Sequence, residues 1–249
     1  MALLTDGSIS TIEELLGYES AILEVAKTEG IDLTTKLKLA EEELAVDLQA
    51  FLARQNDTRT LQQIVVTEPL HKWHTFRTLS VTYRDAYNRQ VNDRYEGKWR
   101  QYDALTTWAS GALYEVGVGM VGSPVVRADR PQTGATAGLQ GAAVYFVRVT
   151  WLSTTGAEGA PSELAAVTTA ANNALTVKAV NPPAGVLGWN LYAGYTGTDL
   201  TLQNSSPLTA GATWTEPSGG LSSSGRAVGN GQEPDNYLKL TKRRIFDRG

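Results

Sequence analysis

The sequence predicts an α+β chain of more than one domain: an N-terminal helical bundle of about four helices, an antiparallel β-sandwich, and an extended C-terminal arm. Charge density separates the first two, with 12 basic and 18 acidic side chains over residues 1–115 against 5 and 6 over residues 116–234. Apolar residues recur at helical spacing in the first part and alternate in short runs in the second. The last fifteen residues carry 5 basic and 2 acidic groups. The boundaries that follow are a helical body over 1–122, a linker over 123–140, the sandwich over 141–218, a Gly/Ser-rich linker over 219–234 and the arm over 235–249.

Ser10 or Thr11 caps a first helix running to about Thr28, with Glu13 and Glu14 set against the positive end of its dipole. Gly30 interrupts it. Thr34 or Thr35 caps a second helix, in which Leu37, Leu44, Leu48 and Leu52 share one face while Glu41, Glu42, Glu43 and Asp47 mark the wet side. Asn56-Asp57-Thr58-Arg59 ends it. Pro69 suits the first turn of a third helix with Trp73, Phe76, Leu79, Tyr83 and Tyr87 as its apolar stripe. Helix resumes towards Tyr114, and Gly117, Gly119, Gly122 and Pro124 close the region.

Strands are expected over 142–152, 164–168, 174–180, 188–193, 200–204 and 212–216, spaced by turns such as Asn181-Pro182-Pro183-Ala184-Gly185. Short strands at that spacing fit an antiparallel sandwich. The stretch 217–234 reads as a flexible return.

A chain of 249 residues with 42% hydrophobic content is long enough for a core in each part. It contains no cysteine and two histidines, which excludes disulfides, zinc-thiolate sites and a thiol nucleophile. No signal-peptide core or apolar run of membrane-spanning length is present, so the expectation is a cytoplasmic product with no membrane association. The net charge of −4 argues against general affinity for phosphate backbones.

Glu68, His71 and His74 fall on one helical face, but no third histidine or cysteine is at hand to complete a metal site, so the pair reads as structural. Gly117-Val118-Gly119-Met120-Val121-Gly122 matches a dinucleotide fingerprint by letters, yet it follows a helix instead of joining a strand to a helix. No nucleophile elbow, phosphate loop or calcium loop occurs. The expectation is therefore no enzyme, no cofactor and no metal.

From Tyr83 to Trp108, Arg84, Arg89, Arg94 and Arg100 interleave with Tyr87, Tyr95 and Trp99. That pattern fits a subunit interface, or arginine stems lying over core aromatics. Interspersed carboxylates weigh against nucleic acid. In the tail, Tyr237, Leu238, Lys239, Leu240, Lys242, Arg243, Arg244, Ile245 and Phe246 mix apolar and basic groups, the pattern of an arm that docks on a partner's edge or groove.

Tyr145-Phe146-Val147-Arg148-Val149-Thr150-Trp151, Gly156-Ala157-Glu158-Gly159-Ala160-Pro161-Ser162, Gly188-Trp189-Asn190-Leu191-Tyr192 and Ala212-Thr213-Trp214-Thr215-Glu216-Pro217 resemble, in that order, the immunoglobulin-like or fibronectin type III-like modules appended to structural proteins of tailed bacteriophages. The resemblance covers about 80 residues. The helical front half with a C-terminal segment returning after the insertion is similar to the head-tail connector (adaptor) proteins that sit beneath the portal. That resemblance implies a homo-oligomeric ring, commonly a dodecamer, in the neck of a virion assembled in the host cytoplasm. Its partners would be the portal protein, a downstream neck or tail protein, and packaged DNA passing through the lumen without sequence-specific binding. The rival expectation is a tail, baseplate or fibre component whose sandwich binds host surface or glycan.

Overall fold

The computed structural model describes residues 1–89 and 93–240. It is α+β, with five α-helices and antiparallel sheets among the described residues. The chain divides into two compact units, each discontinuous in sequence: Gly7–Val121 together with the residues from Pro234 on, and Gly122–Glu233 together with Met1–Asp6.

The helical unit holds α1 (Ile12–Tyr18), α2 (Ile22–Glu29), α3 (Leu33–Arg54), a 3-10 turn (Leu61–Gln63), α4 (Glu68–Arg89) and α5 (Glu96–Val116). Thr11 caps α1 in a reciprocal capping box with Glu14. The single first helix expected up to Thr28 is two helices. Its break lies at Glu19, whose backbone is extended while its buried carboxylate accepts from Lys98 Nζ at 2.6 Å and Tyr102 OH at 3.0 Å. A long-range tether that no local pattern reports outweighs helix continuation there. The cap of α3 is Asp32, which accepts from Thr34 N at 3.0 Å and Thr35 Oγ1 at 2.6 Å, so the two threonines are the capped residues, not the caps. Leu37, Leu44, Leu48 and Leu52 are buried as their spacing predicts. Asn56, at φ 53°, turns the chain out of the helix. The unit is organised around α4, which packs against each of the other four helices.

After α5 the chain forms β1 (Val118–Met120), which pairs antiparallel with β9 (Asn236–Leu238). The glycine-rich run read as a helix terminator is therefore also half of a ladder. Gly117 caps α5 at φ 111°, and a Cβ there would lie 2.9 Å from Tyr237 Cβ. A Cβ on Gly119 would lie 2.8 Å from Thr67 Cγ2 and 2.9 Å from Pro234 Cγ.

The β unit contains β2 (Gln132–Ala137), β3 (Ala143–Ser153), β4 (Ala165–Thr169), β5 (Asn173–Lys178), β6 (Val186–Gly194), β7 (Thr201–Leu202) and β8 (Thr213–Thr215). They form a four-stranded sheet in the order β4-β3-β6-β7 and a three-stranded sheet in the order β2-β5-β8. Both sheets contribute to one buried cluster: Tyr145, Val147, Val149, Trp151, Trp189 and Leu191 from the first, and Leu175, Val177 and Trp214 from the second. Alternate residues of β3 point into it, as period-2 patterning requires.

Three boundaries differ from the sequence reading. The stretch 123–140 is not simply a linker: it carries β2, a largely exposed strand paired to β5 from Gln132↔Lys178 to Ala137↔Asn173. The return over 217–234 is anchored, because Leu202 N donates to Arg226 O at 2.9 Å, Ser222 N to Gln203 Oε1 at 2.8 Å, and Val125 N to Gln232 Oε1 at 2.8 Å. Met1–Asp6 belongs to the β unit and not to the helical body, with Arg127 N donating to Asp6 Oδ1 at 2.8 Å.

Candidate partner-binding surfaces

The arm does not begin as a free segment. Leu238 pairs with Val118 and Tyr237 with Gly119, and Arg59 Nη1 donates to Asn236 Oδ1 at 2.7 Å. Asp235 N donates to Met120 O, and Leu240 N to Tyr114 O at 3.5 Å, so residues 235–240 are part of the helical unit. Tyr237 and Leu240 remain 46% and 48% exposed, and Lys239 is exposed as well, which leaves side chains free for a partner while the backbone is fixed. Lys242, Arg243, Arg244, Ile245 and Phe246 lie outside the described residues.

The aromatic and arginine residues proposed for a subunit interface are divided by the structure. Tyr95 is buried, and its hydroxyl donates to Glu29 Oε1 at 2.9 Å. Burial, reinforced by that carboxylate, holds its phenol above the ordinary value. Its ring is therefore part of the packing of the helical unit and not an interface anchor. Arg89 pairs with Asp85 and donates to the carbonyls of Glu29 at 2.6 Å and Gly30 at 3.3 Å, a cation at the negative end of α2. Tyr87 stacks on Trp99 with centroids 5.5 Å apart, and Arg94 lies over the Tyr95 ring at 5.3 Å. Arg100 pairs with Glu96 one turn back, and Arg84 is half-buried. Much of the pattern is thus arginine stems and aromatic rings packed against one another; Arg94 and Arg100 keep exposed surface.

Both histidines are accounted for by the helical unit. His71 Nε2 lies 3.2 Å from Glu14 Oε2. His74 is fully buried, with Nε2 3.0 Å from the Leu37 carbonyl and Nδ1 2.9 Å from Ser10 Oγ. The carbonyl can only accept, so Nε2 carries the proton and Ser10 donates to Nδ1. No group of three or more His, Cys, Asp or Glu residues placed to hold a metal occurs among the described residues. No protein-family model matches the chain, and neither a curated protein nor a solved structure matches it.

A feature that sequence reasoning missed is a groove of about 470 Å³ in the helical unit. Its floor is Trp73 and Arg77 of α4; Glu43, Leu44, Val46 and Asp47 of α3 form one wall and Asp103, Thr106, Thr107 and Ser110 of α5 the other. Arg77 Nε is 2.5 Å from Glu43 Oε2, and its Nη1 is 3.9 Å from Asp103 Oδ1. Asp47 makes no ion pair among the described residues. By sequence Glu43 and Asp47 belong to the wet face of α3, and nothing in the sequence brings Asp103 to them. Packing of α3 and α5 against the same helix does so.

The β unit holds a second polar constellation. Glu158 Oε1 accepts from Thr150 Oγ1, Asn190 Nδ2 at 3.1 Å and Tyr192 OH at 2.8 Å, and Oε2 accepts from Arg226 Nη2 at 2.5 Å. Burial pushes this carboxyl up, but the four donors outweigh it and the net shift is downward. No helix among the described residues is long and apolar enough to cross a membrane.

Proposed function

We propose that the chain is a head-tail connector (adaptor) of a tailed bacteriophage, with the helical unit as the body of a homo-oligomeric ring. The β unit is then an inserted immunoglobulin-like or fibronectin type III-like module, and the C-terminal segment is the arm that docks on the portal. The observation that supports this most is the path of the chain. The body is interrupted at Gly122 and resumes at Pro234, where β9 closes on β1, so the C-terminal segment departs from the body and not from the inserted module. That arrangement leaves the ring-forming body and the arm in one unit, and the module can be added without disturbing either.

In this reading the protein acts by geometry and interface burial in the virion neck, with DNA passing through the lumen and a downstream neck or tail protein below. No catalytic step, cofactor or metal is assigned to it. Native mass spectrometry of the purified protein, alone and mixed with portal protein, tests the reading. A ring species, twelvefold in assemblies of this kind, and a portal-bound form are expected. A chain that stays monomeric in both samples overturns it.

A second reading, a tail, baseplate or fibre component that binds host glycan, rests on a smaller observation. Within the β unit, Tyr195 is 56% exposed beside a cavity of about 150 Å³ that Thr196, Asp199, Ser222 and Ser223 also line. An aromatic face with a carboxylate and hydroxyls is suited to a sugar ring. Saccharide binding lost in Tyr195→Ala, by a protein that forms no ring, would favour it.

A further inference from the structure

The groove between α3 and α5 has a composition, a position and a neighbour that together point to an occupant. Three carboxylates and one guanidinium line it, so its field is negative. Apolar surface is also available, since Val46 on its wall is 64% exposed. Tyr114 packs on the lining residue Trp73, its ring 6.0 Å from that indole and 4.9 Å from Phe51. Burial, with Asp47 nearby, pushes the Tyr114 phenol up to about 12. Leu240, the last described residue, donates its N–H to the carbonyl of that same Tyr114.

Beyond Leu240 the sequence continues for nine residues with Lys242, Arg243, Arg244 and Arg248 against a single Asp247, and with Ile245 and Phe246 among them. We propose that the acidic groove is the docking site, in cis, for this basic segment, residues 241–249. Reach permits it: along α5, Tyr114 and Asp103 are separated by roughly 16 Å, whereas nine extended residues span up to about 30 Å. Tethering at Leu240 also raises the segment's effective concentration at the groove to about the millimolar range, so a weak intrinsic affinity suffices. Asp47 lies at the end nearest the tether and supplies the unpaired carboxylate. The groove and a portal surface would then compete for the same basic groups, and the segment is held on its own body until a stronger acidic partner takes it. The docking itself does not depend on the connector reading.

The test uses the chain ended after Leu240 and a fluorescein-labelled peptide of residues 241–249, with anisotropy followed in low and high salt. Binding is expected, weakening with salt and falling by about tenfold or more in Asp47→Lys with Asp103→Lys, two exposed positions. Asp47→Asn alone serves if the double reversal does not fold. The full-length chain should take the peptide at least about tenfold more weakly, because its own segment already fills the site. Absence of binding, binding indifferent to the reversals, or equal binding by the full-length and shortened chains overturns the proposal. So does a concentration-dependent dimer of the full-length chain that disappears on shortening, which would place a second copy's segment in the groove. Failure to assemble with portal protein would count against the connector reading alone and leave these measurements as they stand.

Discussion

His74 Nδ1 and Ser10 Oγ lie 2.9 Å apart, both fully buried, although they stand 64 positions apart in the chain. The contact ties the segment before α1 to the second turn of α4, and the opposite ring nitrogen ties α4 to α3 through Leu37. Burial, only partly opposed by that carbonyl, pushes the imidazole from 6.5 down to about 4.

A dependence of stability on pH follows from this shift. The native imidazole stays neutral below 6.5 while the unfolded chain takes up a proton, so the contribution is complete above 6.5 and is lost as pH falls from 6.5 to about 4. The loss over that window is about 3 kcal/mol. Urea unfolding at pH 7 and pH 4.5 should show it, and His74→Asn should flatten that part of the profile; an identical pH profile in the variant would count against the assignment. His74→Ala should cost about 2–3 kcal/mol at pH 7 because it empties a fully buried site and removes the imidazole's hydrogen bonds to Ser10 and the Leu37 carbonyl.

Gly119→Ala should destabilise the helical unit by about 1–3 kcal/mol, since the added methyl meets Thr67 and Pro234 at under 3 Å. Gly111→Ala is the control: it lies within α5 with open space around it, and should stabilise by about 0.5–1 kcal/mol. Thermal unfolding of the two variants should shift in opposite directions.

Residues 122–233, which lack only Met1–Asp6 of the β unit, should fold, whereas residues 139–218 should not. The shorter piece lacks β2, leaving the edge of β5 bare, and lacks Arg226, leaving Glu158 without its cation. Cooperative melting of the shorter piece equal to that of the longer one would refute this.

Glu158→Ala should cost about 3–5 kcal/mol, because it strips the acceptor from three side chains of the β3–β6 pair as well as from Arg226. Arg226→Ala should cost less, its side chain being 55% exposed. The lowered pKa of Glu158 makes its contribution one that is present at neutral pH and lost on acidification through the carboxylate range. Chemical denaturation of both variants checks the order.

Shortening the chain after Leu240 should lower stability by only about 1–2 kcal/mol, the part that docking of residues 241–249 contributes, while impairing association with portal protein. Shortening after Pro234 should lower stability further, because it deletes β9 and opens β1. Equal stability of the two shortened chains would show that the ladder contributes nothing.

Much of the helical unit was legible because its signals are local. The leucine spacing of α3, Pro69 in the first turn of α4 and the cap of α1, which is Thr11 of the two residues the sequence offers, act within one or two turns. The strands with large apolar residues, β3 and β6 above all, were legible for the same reason. β2 was not: Gln-Thr-Gly-Ala-Thr-Ala has no bulky alternation, and it is a strand because β5 offers it an edge. Asp32 was passed over as a cap in favour of the threonines it actually holds.

What the sequence by itself determined is therefore the division into a charged helical part and a polar, small-residue β part, together with most elements in each. Hydrophobic period and turn chemistry are written over a few consecutive residues, and they suffice for that. Only the tertiary structure decided that Tyr95 is buried, that residues 235–240 close on β1, that Met1–Asp6 joins the β unit, and that Glu43, Asp47 and Asp103 line one groove. Each of these depends on residues brought together across tens to more than a hundred positions, where the free energy resides in a contact that neither partner encodes alone.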